Sequence, residues 1–221
     1  MRQKTQLINA IRGHCSEFGL IVAQGASKVG ELIAIIDDVD DGRLPTSARQ
    51  ALGYLVEQLS FVKEQIKALE GALKALFKKD EAARRLETIP GVGVITATAL
   101  VATIGDGQQF KSGRELAAWL GLVPRHSSSG DKQRMGRISK RGDGYLRKLL
   151  VHGARTVLRW KQAKGQGRSP WLKAMLERRP TNVVLIAMAN KVARIVWAML
   201  VKNESYQAPT NKKEDKPVEA I

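Results

Sequence analysis

Three consecutive serines, Ser127, Ser128 and Ser129, stand directly before Gly130, and cations bracket them: Arg125 on one side, Lys132, Arg134, Arg137, Lys140 and Arg141 on the other. A serine hydroxyl is a weak nucleophile until something activates it. Arginines and lysines around it can neutralise a phosphate under attack and stabilise its transition state. His126 is the one nearby candidate for a general base. The same residue types also suit plain phosphate binding, in which hydroxyls and guanidinium groups hold a nucleic-acid backbone without reacting with it, and such contacts outnumber catalytic ones. Both readings are open on the residues alone.

A second candidate lies upstream, in Leu86-Glu-Thr-Ile-Pro-Gly-Val-Gly-Val-Ile-Thr-Ala-Thr-Ala-Leu. Gly91 and Gly93 permit a tight turn with accessible backbone N–H groups. A helix starting at that turn would aim its N-terminus at an anion. The pattern is that of a helix-hairpin-helix element contacting a DNA phosphate; the plain alternative is a packing joint whose small residues allow close approach. The acidic run Asp37, Asp38, Asp40 and Asp41 ahead of Gly42 invites a metal reading, but a calcium loop ending there needs an oxygen ligand at Val39 and a glutamate at Ala48. A solvated turn is the expectation.

The elements that must position these groups are mostly helical. Met1–Gly19 reads as a helix with Leu7, Ile8, Ile11, Cys15 and Phe18 on one face, stopped at Gly19. Lys28–Asp37 is a short helix, and Ser47 with Gln50 suggests a capping box. Leu52, Leu55, Leu59, Val62, Ile66, Leu69, Leu73 and Leu76 then alternate steps of three and four, the seam of a coiled-coil arm or of a bundle helix. A helix capped by Ser112 buries Leu116, Ala117 and Leu120 and ends at Gly121 and Pro124, with Trp119 packing beside it. The serine segment reads as a flexible stretch. Leu146–Trp160 is an amphipathic helix with Arg147, Lys148, Arg155 and Arg159 off its buried stripe. In the last helix, Val183–Leu200, Asn190, Lys191 and Arg194 interrupt an apolar sequence, either as an exposed stripe or as a nucleic-acid-facing edge.

Charge narrows the class. The 221 residues carry 37 Lys+Arg against 21 Asp+Glu, a net charge of +16. Between Arg125 and Arg168 there are 13 Lys+Arg opposed only by Asp131 and Asp143, so this segment holds +11 of that total. A focused basic patch points to a polyanion, nucleic acid before membrane. The single cysteine excludes an internal disulfide and a thiolate zinc cluster, and three widely spaced histidines argue against a histidine metal site. Met1–Arg12 lacks the apolar run of a signal peptide. Val183–Val201 is broken by polar residues and reads as a buried helix rather than a membrane span. The expected setting is cytoplasmic, at the bacterial nucleoid.

Several segments together resemble the DEDD-type insertion-sequence transposases of the one-ten class, including its one-eleven-eleven subgroup. They are Gln6–Gly13, Ile89–Gly93, Phe110–Arg125, Ser129-Gly130, Gly136–Arg147 and Ala189–Trp197, within a match running from about Met1 to Lys202. The resemblance implies a DNA recombinase of a mobile element with an N-terminal RuvC-like domain whose four acidic residues bind Mg²⁺, then a coiled coil, then a helical domain bearing a serine nucleophile. It also implies a structured bridge RNA as guide in some members. By position the nucleophile falls on Ser129. The metal-binding acids of that family precede the part matching Gln6–Gly13, so Mg²⁺ is expected only with a domain that this sequence does not contain.

The resulting expectation is a mainly α protein. Residues 1–45 are a remnant of the RuvC-like domain and a linker, 46–80 a coiled-coil arm, 81–202 a helical transposase domain and 203–221 a disordered tail. Ser129 is the expected nucleophile. Gly91, Gly93, Arg125, Lys132, Arg134, Arg137, Lys140, Arg141 and Arg147 are the expected DNA contacts. Partners are DNA, a bridge RNA and a second copy of the chain through the coiled coil. The alternative is a non-catalytic DNA- or RNA-binding module.

Overall fold

The computed structural model describes residues 2–129, 132–163 and 169–207, and only the backbone at 126–129, 132–135 and 161–163. It is mainly helical, and the chain divides into two compact units, Met1–Ala72 and Leu73–Ile221.

In the first unit, α1 (Arg2–Glu17) and α2 (Val29–Asp37) pack with the start of α3 (Thr46–Lys79). Ile8, Ile11 and Cys15, at helical spacing, meet Leu32, Ile36 and Leu59 in a dry core. Phe18, assigned to the buried face of α1, is instead 38% exposed, because α1 ends at Glu17 and Phe18 belongs to the turn that follows. Two arginines tie the loops down. Arg12 donates to the carbonyls of Val22 and Ala23 at 3.0 and 2.8 Å, and Arg49 donates to those of Ile35 and Ile36 at the C-terminus of α2 and to that of Asp41. A guanidinium there satisfies carbonyls that have no partner within the helix. The acidic run is a turn closed by its own side chains. Arg43 Nε donates to Asp41 Oδ1 at 2.9 Å, and this guanidinium holds the Asp41 carboxyl down at about 2.

Helix α3 begins at Thr46, so Ser47 lies inside the first turn and is not the cap. Its seam is covered unevenly: Leu52 and Leu59 are buried in the first unit, whereas Leu69 and Leu76 are 69% and 62% exposed. Phe77 rather than Leu76 enters the core of the second unit.

The second unit is built around α9 (Thr181–Lys202), which packs on α4 (Glu81–Glu87), α6 (Gly113–Trp119), α7 (Gly144–Ala163) and α8 (Pro170–Arg178). By length and composition α9 is apolar enough to cross a membrane, but Val184, Ala189, Ala193 and Val196 pass through the core, which is what its hydropathy serves here. Helix α5 (Val94–Ile104) lies between α4 and α7. Leu86, Leu100, Leu116, Leu146 and Leu150 fill the interior. Side-chain caps set several helix starts: Asp80 accepts from Ala83 N, Ser112 from Glu115 N, Asp143 from Leu146 N and Ser169 from Leu172 N.

Three expectations change in this unit. The serine segment is not a flexible stretch but an antiparallel hairpin, β1 (Pro124–Ser129) with β2 (Lys132–Ile138). Its strands have no apolar alternation to betray them and are held by the backbone ladder. Helix α8 had no counterpart in the sequence reading, although Ser169-Pro170 is a proper helix start. The tail does not leave the fold at Asn203. Asn203 caps α9 in the left-handed conformation and accepts from Arg85 at 2.9 Å, and Tyr206 packs against the core; residues 208–221 lie outside the described residues.

Candidate nucleic-acid interface

The hairpin sorts the expected site residues into two groups. Pro124 pairs with Ile138 at its base and Ser129 with Lys132 at its far end. Five residues of extended chain separate Pro124 from Ser129, roughly 17 Å. Register shifts between Pro124 and His126, where Arg125 faces the Gly136–Arg137 stretch; a bulge of this kind bends the strand and re-aims side chains. Arg125, Arg137, Lys140 and Arg141 therefore gather at the base, all exposed. Ser129, Lys132 and Arg134 belong to the far half, and their side chains lie outside the described residues. His126 is three positions from Ser129, about 10 Å of strand rise, so the backbone does not make the two neighbours.

The base of the hairpin is locked to the end of α6. Ser139 N donates to Val123 O at 2.9 Å and Lys140 N to Gly121 O at 3.2 Å. Arg125 donates to Ser139 O at 3.2 Å. Lys140 adopts φ +55°, a left-handed conformation unusual for a lysine. Gly142, at φ +83°, passes so close that a Cβ there would sit 1.8 Å from Trp119 O. Arg147, expected to contact DNA, is half-buried and donates from Nη1 to Leu120 O at 2.9 Å, which gives it a structural role in this joint.

The two glycines of the upstream motif part company. Gly91 turns at φ +89° against α7, where a Cβ would meet Gly153 O at 2.7 Å. That is close-approach packing. Gly93 is exposed at the N-terminal end of α5 with open space around it.

A groove of about 1410 Å³ opens beside the hairpin base. One wall is the face of α9 carrying Val183, Ile186, Ala187, Asn190, Lys191 and Arg194. The polar break in α9 is thus an exposed stripe that forms a groove wall, with Lys191 and Arg194 exposed and Asn190 half-buried. Gly136, Arg137, Ile138 and Lys140 come from the hairpin side, and Arg114 from α6. The α6–α9 crossing is tight, since a Cβ on Gly113 would meet Arg194 Cα at 2.9 Å. Trp197 Nε1 donates to Phe110 O at 3.0 Å, and Asn190 Nδ2 to Leu122 O at 3.3 Å. Lys191 Nζ lies 5.0 Å above the Trp171 ring. The lining contains five cations and no carboxylate, and none of the five forms an ion pair among the described residues. Arg114 escaped the sequence reading because its helix was read only as core packing, and Trp171 because it adjoins no motif.

No cluster of His, Cys, Asp and Glu among the described residues is suited to a metal ion. Among the described residues, therefore, no group fits a Mg²⁺ centre.

Residues 83–168, which hold the helical turn, the hairpin and all of α7, match the IS116/IS110/IS902 transposase family. A Pseudomonas aeruginosa protein named "Probable family 20 transposase" is 44% identical over 94% of this chain and 62% of its own length. The transposase for insertion sequence element IS1111A of Coxiella burnetii is 42% identical over 94% of this chain and 57% of its own. The pilin gene-inverting protein of Moraxella lacunata is 32% identical over 55% of this chain and 37% of its own. The chain thus spans about three-fifths of the length of the first two relatives.

Proposed function

Given that this chain belongs to the IS116/IS110/IS902 class of transposases, we propose that it provides the serine-bearing, DNA-holding part of a recombinase that cuts and rejoins strands at the ends of a mobile element. The observation that carries this reading is the hairpin within the family-matched segment, with Ser129 near its turn and a cluster of exposed cations at its base. In the proposed step the Ser129 hydroxyl oxygen attacks a phosphodiester phosphorus. One P–O bond to deoxyribose breaks, and the serine proton ends on the departing sugar oxygen. The strand stays joined to the protein until a DNA hydroxyl attacks the same phosphorus and releases the serine. Arg125, Arg137, Lys140 and Arg141 hold flanking phosphates, with Lys132 and Arg134 nearer the serine.

By resemblance, Mg²⁺ would be bound by the four acidic residues of a RuvC-like domain. A bridge RNA and a second copy of the chain are proposed partners on the same footing. For the second copy, the exposed Leu69 and Leu76 offer a seam.

Incubating the chain with element-end DNA, alone and with the acidic domain of a relative, tests the chemistry. Adducts that survive denaturant and vanish in Ser129→Ala are expected. Their persistence in Ser129→Ala would remove the serine from the mechanism. The second reading, a module that binds without reacting, draws on the basic segment and on the exposed Gly93 at the N-terminal end of α5. It predicts salt-sensitive binding with no adduct in either mixture.

A further inference from the structure

We propose that the groove between α9 and the hairpin base seats an unpaired nucleic-acid strand, with a base stacked on Trp171 and its phosphates held by Arg114, Arg137, Lys140 and Arg194. This rests on the nucleic-acid reading above and adds which form of nucleic acid this surface takes.

The composition of the walls decides between duplex and single strand. A duplex presents phosphates and groove edges and hides the faces of its bases in the stack. The phosphate contacts it needs are the exposed cations, and an apolar wall adds nothing to them. This groove has apolar walls: Val183, Ile186 and Ala187 on α9, together with Trp171 and Trp197. An unpaired strand exposes base faces that such walls can cover, and proteins that hold single strands pair aromatic platforms with a cationic groove. Trp171 lines this groove. Lys191 sits above it at 5.0 Å, and Trp171 remains 40% exposed. The ammonium covers one face of the ring, so a base would stack on the opposite face, with a cation close by for a neighbouring phosphate.

Size and charge agree. At about 1410 Å³ the groove exceeds the roughly 300–1,000 Å³ of ordinary small-molecule pockets, so a polymer segment suits it better than one nucleotide. Five cations without a carboxylate select a polyanion over an apolar peptide or a second protein surface. The main chain that carries two of the cations is held in place: Lys140 by its backbone bond to Gly121, and Arg194 by the close α6–α9 crossing at Gly113.

The test uses the full chain with fluorescein-labelled oligo-dT, oligo-U and a duplex of matched length, read by anisotropy over a salt series. Wild type is expected to bind the unpaired strands more tightly than the duplex. Trp171→Ala should weaken strand binding about tenfold, within the usual worth of one stacked base, and change duplex binding less than twofold. Trp171→Phe should restore most of the loss. Strand binding lost in Trp171→Ala and not restored in Trp171→Phe would speak against stacking. A 4-thiothymidine oligonucleotide crosslinked to wild type should mark the peptide around Trp171 or the α9 wall, a readout that needs no variant. Crosslinks confined elsewhere, or equal losses for strand and duplex, would overturn the proposal. So would self-association, measured by sedimentation, that is abolished by Trp171→Ala, because a second copy would then be the occupant. Binding of duplex but not strand sinks this inference and leaves the transposase reading intact; binding of neither at low salt sinks both. The two oligonucleotides separate a DNA strand from an RNA strand as the natural occupant.

Discussion

Arg137 and Arg147 stand ten positions apart with the same charge and different work. Arg137 is exposed at the groove, whereas Arg147 spends its guanidinium on Leu120 O inside the joint between α6 and α7. Removing Arg147 leaves a half-buried carbonyl without its charged donor, so Arg147→Ala is expected to cost about 1.5–3 kcal/mol of stability, read from urea midpoints. Arg137→Ala should leave the midpoint within about 0.5 kcal/mol, as surface changes do. It should also lower the salt dependence of nucleic-acid binding by about one phosphate contact. A stable Arg147→Ala that loses binding would reverse the assignment. Sequence reasoning placed both residues on the DNA because it sees charge and spacing; the bond from Arg147 to Leu120 O is visible only in the fold. It passed over Arg114 and Trp171 for the same reason: they join the groove only through the α6–α9 crossing and the placing of α8.

Among the elements, the strap from Ser139 to Asp143 matters most, since it connects the hairpin to α7 and carries Lys140 and Arg141. Gly142 lets it pass under Trp119. Gly142→Ala demands a side chain at φ +83° and a Cβ within 1.8 Å of Trp119 O, so the strap must move. Overpacking of this kind costs roughly 1–3 kcal/mol. The expected result is a lower melting temperature together with weaker nucleic-acid binding, checked by calorimetry and anisotropy. Unchanged binding in a destabilised protein would mean that the strap does not position the cations. The helices were legible because burial imposes a period on the sequence: the starts of α6 and α7 and the apolar stripes of α1 and α7 can be read directly. The hairpin was not. Its order comes from backbone pairing, which leaves no mark on side-chain type, and its sequence is the polar, glycine-bearing kind that also makes loops. The packing face of α9 was less legible: Val184, Ala189 and Ala193 do the central packing. Small residues at a close crossing look unremarkable until the neighbouring helix is known.

Among the described residues the first unit holds one buried cluster and the second holds two, and the groups that can report on them, one thiol and four indoles, divide between the units. The single cysteine, Cys15, is fully buried in the first unit, where burial also pushes its thiol up from the ordinary range. All four tryptophans, Trp119, Trp160, Trp171 and Trp197, belong to the second. Denaturation followed by thiol-reagent accessibility and by tryptophan emission therefore reports the units independently. The first unit has the smaller core, so Cys15 should become reactive at lower denaturant than the emission shift. Coincident transitions would mean that the units unfold as one. The contact between Gly91 and Gly153 has a consequence for how such a fold can be traced through its descent. A Cβ on Gly153 would lie 2.0 Å from Gly91 O, and one on Gly91 would lie 2.7 Å from Gly153 O. Neither site can accept a larger residue that a change at the other would accommodate, because each collides with backbone rather than with a side chain. Methods that infer proximity from correlated substitution need both positions to vary. Sixty-two residues apart in the chain, this pair would be among the closest in space and yet silent to them.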